Sequence, residues 1–137
     1  MVVSGLTIGY QPNNFTTIAN NTVNYTFANS GTGTNDFAIF ETHDPWGNTV
    51  VKTAITNAAH TFAVFTPTQL AGFNFNDYRV VVLNWDDHIP SEFDPPYAAA
   101  IPALQNYVNS GGVLWIQGSI QGFSYALPFG GTAAYHR

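Results

Sequence analysis

The chain contains no cysteine. That absence removes disulfide bridges, thiolate metal centres and a cysteine nucleophile together. Cations are almost as scarce. Lys52, Arg79 and Arg137 are the 3 basic residues, set against 8 acidic ones, and the net charge is -5. Nucleic-acid affinity rests on phosphate neutralisation by Lys and Arg, so nucleic acid is excluded as a partner. An anionic membrane surface is excluded by the same argument. No apolar run reaches the roughly 18 residues of a membrane-spanning helix, which argues against membrane insertion. The opening Met1-Val2-Val3-Ser4-Gly5 has neither the basic region nor the long apolar stretch of a signal peptide. Charged residues make up only 8% of the chain, against roughly 25% in an average soluble protein. The polar surface must therefore be built from Asn, Thr, Ser and Gln. Such surfaces are common outside the cell, so an extracellular or cell-surface location is expected, as one piece of a larger exported chain.

Hydrophobic material is abundant. It makes up 45% of 137 residues, with 11 Phe, 7 Tyr and 3 Trp, enough for one domain with a real core. Residues 1–35 carry no formal charge. Leu6-Thr7-Ile8-Gly9-Tyr10 and Thr22-Val23-Asn24-Tyr25-Thr26-Phe27 both alternate, which predicts a β-hairpin or strand pair. Gly31-Thr32-Gly33-Thr34-Asn35 reads as a linker. The division expected is an N-terminal β segment with linker over 1–35 and an α/β domain over 36–137.

From Asp36 the pattern changes. Strands are predicted at 37–41, 61–66, 79–84 and 113–117, and helices at 48–59 and about 96–109. Pro102 inside the second helix is awkward there. Strand, helix, strand, strand, helix, strand predicts a doubly wound, mainly parallel α/β sheet in the order 2-1-3-4. Strands 79–84 and 113–117 are near-continuous apolar runs, as strands covered on both faces are. Val81, Leu83, Leu114 and Ile116 are the expected core.

From residue 36 to about 122 the chain resembles the class I glutamine amidotransferase-like superfamily, including its degenerate ThuA-like, flavodoxin-like members. The carriers are Tyr78-Arg79-Val80-Val81-Val82-Leu83 and Tyr107-Val108-Asn109-Ser110-Gly111-Gly112 ahead of Val113-Leu114-Trp115-Ile116. Active members place a cysteine in a Gly-x-Cys-x-Gly elbow. The nearest frame here, Gly118-Ser119-Ile120-Gln121-Gly122, puts Ile120 at the nucleophile, and isoleucine cannot attack a carbonyl. Ser119 is the neighbouring candidate, and it would need a base within reach. Domains of that family also run longer, so the resemblance implies a non-catalytic module truncated at its C-terminus.

In open α/β sheets ligands bind beyond the carboxyl ends of the strands. Those of the first and third predicted strands carry Glu41-Thr42-His43-Asp44 and Trp85-Asp86-Asp87-His88. Taken singly, each residue reads as solvated loop; taken together, they form a candidate site. Glu41, Asp44, Asp86 and Asp87 supply oxygen ligands suited to calcium or magnesium. His43 and His88 supply nitrogen ligands suited to zinc. Clustered carboxylates repel unless compensated, and Lys52 is assigned to a helix, with Arg79 at the far end of its strand. A divalent metal ion, backbone amides or a carboxyl of raised pKa is therefore expected there. Flavin phosphate is disfavoured beside the two carboxylates of the 41–49 loop. The function expected is a binding or assembly module, partnered by other domains of its parent chain, a small polar ligand or a second copy in a homo-oligomer. The alternative is a hydrolase of carbohydrate or amide acting through Asp86, Asp87, His43 or Ser119.

Overall fold

The computed structural model describes residues 2–4, 12–31, 33–85, 90–118 and 124–134. A five-stranded sheet is formed by β1 (Val2–Ser4), β2 (Asn35–Phe40), β3 (Phe62–Phe65), β4 (Tyr78–Trp85) and β5 (Val113–Gly118). Its order is β1-β5-β4-β2-β3 and every pairing is parallel. The four strands read from the sequence thus stand in the expected 2-1-3-4 order, with β1 added outside β5. Helices α1 (Pro12–Ala28) and α2 (Val50–Asn57) cover one face, and α3 (Pro90–Asn109) covers the other. A small antiparallel hairpin, β6 (Ser124–Ala126) and β7 (Thr132–Ala134), follows.

Both faces of the central strands are dry. Phe37, Ile39, Val80, Val82 and Trp115 pack toward α1 and α2. Ala38, Phe40, Val81, Leu83, Leu114 and Ile116 pack toward α3. The four expected core residues are all 0% exposed. Two-sided coverage is why these runs are apolar at every position rather than at alternate ones.

The N-terminal strand-pair expectation fails at Thr22–Phe27, which lies inside α1. Val23, Tyr25 and Phe27 alternate in sequence, yet Tyr25 is 61% exposed. The buried set is Ala19, Val23 and Thr26, a 3.6-residue period. The other half of that expectation, residues 6–10, lies outside the described residues. Helix α3 begins at Pro90 rather than near Pro96. Proline is well suited to the first helical position, where no N–H partner is needed. Its buried face is Phe93, Tyr97, Ala100, Leu104 and Tyr107. Pro95 and Pro102 lie on the exposed side, so carbonyls that lose an N–H partner there stay within reach of water.

The end of α3 gives the Tyr107 to Gly112 segment its physical meaning. Gly111 N–H donates to Val108 O and Gly112 N–H to Tyr107 O, a Schellman closure with Gly111 at φ +99. The Tyr107 ring then lies over Gly112, where a Cβ would come within 2.1 Å of it. Its hydroxyl donates to Arg79 O at 2.7 Å and to Val113 O at 3.3 Å. Burial pushes the Tyr107 pKa up, so the hydroxyl stays a donor. Gly33 makes a comparable close approach, since a Cβ there would meet the Tyr78 carbonyl carbon at 2.3 Å.

Two substitutions test this architecture by equilibrium denaturation. Leu83→Ala empties a fully buried site and is expected to cost about 2–5 kcal/mol. Gly112→Ala forces the Tyr107 ring off its seat and is expected to cost at least about 1 kcal/mol. A loss under about 0.5 kcal/mol in either, as at a surface position, would contradict the packing described.

Candidate functional site at the strand ends

Glu41 continues the line of β2 beyond its last paired residue. Its N–H donates to Phe65 O at 3.0 Å, and the residue is 4% exposed. A buried carboxylate is costly unless charge and hydrogen bonds compensate it. Both kinds of partner are present. Lys52 Nζ pairs with Glu41 Oε1 and also donates to Asp44 Oδ1. Asn84 Nδ2 donates to Glu41 Oε2 at 2.8 Å.

The expectation that Lys52 is spent elsewhere is therefore corrected. It sits in the first turn of α2, which starts just past the strand ends. Helical side chains lean toward the N-terminus, which carries the ammonium back to Glu41 and Asp44. Partial burial would lower the Lys52 pKa, but the hydrogen bonds and charges of Asp44 and Glu41 outweigh it, and the net shift is upward.

Glu41 belongs to a polar layer across the sheet. Asn84 pairs in register with Gln117, and Gln117 with Ser4. Asn84 and Gln117 are 5% and 2% exposed. Glu41 accepts the Asn84 amide N–H, so Asn84 Oδ1 must face away as an acceptor. Among the described residues, neither it nor Gln117 Oε1 has a hydrogen-bond partner. Such atoms mark places where a ligand or water can be received.

The other expected site residues fall as follows. Asp44 is half-buried and shares Lys52. His43 is exposed, with Nδ1 2.9 Å from Thr42 Oγ1. Asp86, Asp87, His88 and Ser119 lie outside the described residues. Among the described residues no group of three His, Asp or Glu side chains is arranged to hold a metal ion, and no helix is long and apolar enough to cross a membrane. His60 stacks on Phe27 with ring centroids 3.6 Å apart. Sequence reading missed Lys52, Asn84 and Gln117 as members of the layer. The available signal was that Asn84 and Gln117 each close an apolar strand run. No family model, curated protein or solved structure matches the chain.

The ion pair makes a prediction that a surface bridge would not. Lys52→Met leaves the Glu41 carboxylate buried without its cation and is expected to cost about 3 kcal/mol. Glu41→Gln combined with Lys52→Met removes the stranded charge and is expected to recover most of that loss. The raised Lys52 pKa means the pair's contribution is complete below the ordinary lysine value and fades only as pH rises through the higher folded-state value. Urea denaturation of the three proteins at neutral pH, and of the native protein at alkaline pH, checks both points. Equal stability of the single and double variants would contradict the pairing.

Proposed function

We propose that the protein is a binding module that receives a small polar ligand at the carboxyl ends of β2, β4 and β5. The observation that carries this reading is the commitment of both Glu41 oxygens, one to Lys52 and one to Asn84. A cation on one oxygen and an amide donor on the other stabilise the ionised carboxylate, which makes Glu41 a weak general base and a weak nucleophile. Among the described residues, the unpartnered groups here are instead neutral acceptors, Asn84 Oδ1 and Gln117 Oε1. Two such acceptors on adjacent strands suit a ligand that presents N–H or O–H donors. The amidotransferase-like resemblance, with Ile120 at the expected nucleophile, agrees with binding without turnover. The low charged fraction of 8% agrees with a module of an exported or surface protein.

The side-chain amide signals of Asn84 and Gln117 provide the test. Titration with small donors such as acetamide, urea and glycinamide is expected to shift both signals saturably, and Gln117→Leu is expected to abolish the response. Glutamine, simple amides and nitrophenyl glycosides are expected to remain unhydrolysed. Donor titrations that leave both amides unmoved would overturn the binding reading. Turnover lost in Glu41→Gln would replace it with the hydrolase reading.

A further inference from the structure

The opposite face of the sheet carries a separate cleft, between α3 and the β6 strand. Its volume is about 240 Å³, and its walls include Trp85, Asp94, Tyr97, Ser124 and Tyr125. Size constrains the occupant first. Clefts that bury drug-sized ligands run to roughly 300–1,000 Å³, so this one suits a single ring. The hairpin wall is held in place: Tyr97 Oη donates to Ala126 O at 2.6 Å, and Gln105 Nε2 donates to Pro128 O.

The polar groups of the cleft are complementary to one another but unused. Trp85 is 1% exposed, and among the described residues its indole Nε1 has no acceptor. Asp94 is half-buried, and burial raises its pKa. Among the described residues no cation pairs with it, because Lys52 serves Glu41 and Asp44 and Arg79 serves Phe27 and Ser30. Among the described residues, the walls of the cleft thus include a residue with a buried donor that lacks an acceptor and a carboxylate that lacks a cation.

Each simple ligand class fails on one of these groups. An anion meets the Asp94 carboxylate. An apolar ring leaves both polar groups unsatisfied. An organic cation loses the best aromatic partner for it, because the Trp85 ring is covered by Phe93 at 5.0 Å and Tyr125 at 4.6 Å. It would also leave the indole N–H unpaired. A ring bearing hydroxyls meets every condition, since a hydroxyl both donates and accepts. We propose that this cleft binds one neutral sugar residue, with Asp94 accepting from a hydroxyl, Trp85 Nε1 donating to a sugar oxygen, and the Tyr97 and Tyr125 rings packing against the sugar's C–H surface.

The cleft lies across the sheet from Asn84 and Gln117, so its failure would leave the reading of that layer standing. Ligand-observed NMR with the methyl glycosides of glucose, galactose, mannose and N-acetylglucosamine is the test, with cyclohexanol and tetramethylammonium as apolar and cationic controls. At least one glycoside is expected to bind saturably in preference to both controls. Asp94→Asn is expected to weaken it about tenfold, the loss of a hydrogen bond to a charged group. Ala98→Trp, an exposed position on the same wall, is expected to block it by bulk. Both variants alter partly or fully exposed positions and should melt near the native temperature. The proposal is overturned if no glycoside binds, if neither variant weakens binding, or if either control binds as tightly as the best glycoside.

Discussion

A carboxylate buried at the end of a parallel sheet is the constraint around which the strand-end region is arranged. Glu41 emerges where β2 leaves its dry environment, and at 4% exposure water cannot solvate it. Its charge has to be met from within the protein. Lys52 meets it from the first turn of α2, which fixes that helix over the strand ends. Asn84 meets it from β4 and in doing so has its own amide orientation set. The unpartnered acceptor beside Gln117 then follows from satisfying Glu41 first. A buried pair of this kind contributes little net stability against a hydrophobic alternative. Its consequence is positional: it selects one placement of α2 and one rotamer of Asn84.

Scarcity of charge makes each ion consequential. The two described cations both have structural tasks. Lys52 neutralises the strand ends, and the Arg79 guanidinium lies 3.9 Å from the Phe27 ring centroid while donating to Ser30 Oγ and Ser30 O. Phe27 also stacks on His60, so Arg79 and His60 together pin the end of α1 to the amino side of the sheet. Asp36, at that same side, accepts from the N–H and hydroxyl of Thr61 at 2.8 and 2.9 Å. Burial would raise its pKa, but those bonds, with the charges of His60 and Arg79, lower it. Among the described residues, charge fastens loops and helix ends to the strands at both their amino and their carboxyl ends.

The sheet was legible in the sequence because its strands are apolar at successive positions and are separated by connections long enough for crossovers. Order and parallel sense followed from that spacing. The N-terminal helix was not legible by the same reading. Val23, Tyr25 and Phe27 present a two-residue period, and only burial shows that Val23 pairs with Ala19 and Thr26 instead. The start of α3 was hidden by its prolines, whose tolerance depends on which side of the helix faces water. Glu41 and Asp44 were legible as a candidate site because charge is rare here. Lys52 was not, since a residue's place in a helix does not reveal how far its side chain reaches back. Asn84 and Gln117 escaped notice because a lone amide at the end of a strand has no motif. Their significance comes from register, which joins residues 41, 84 and 117 into one layer.

The Lys52 ammonium itself provides the decisive measurement, with its ¹⁵Nζ resonance followed through an alkaline titration of the intact protein. Paired with Glu41 and Asp44, the ammonium is expected to exchange slowly with water. It should also lose its proton only above the ordinary lysine value of about 10.4. Rapid exchange with a titration midpoint at or below that value would show a lysine free in solvent. It would leave the Glu41 carboxylate without its cation and remove the basis for the polar layer.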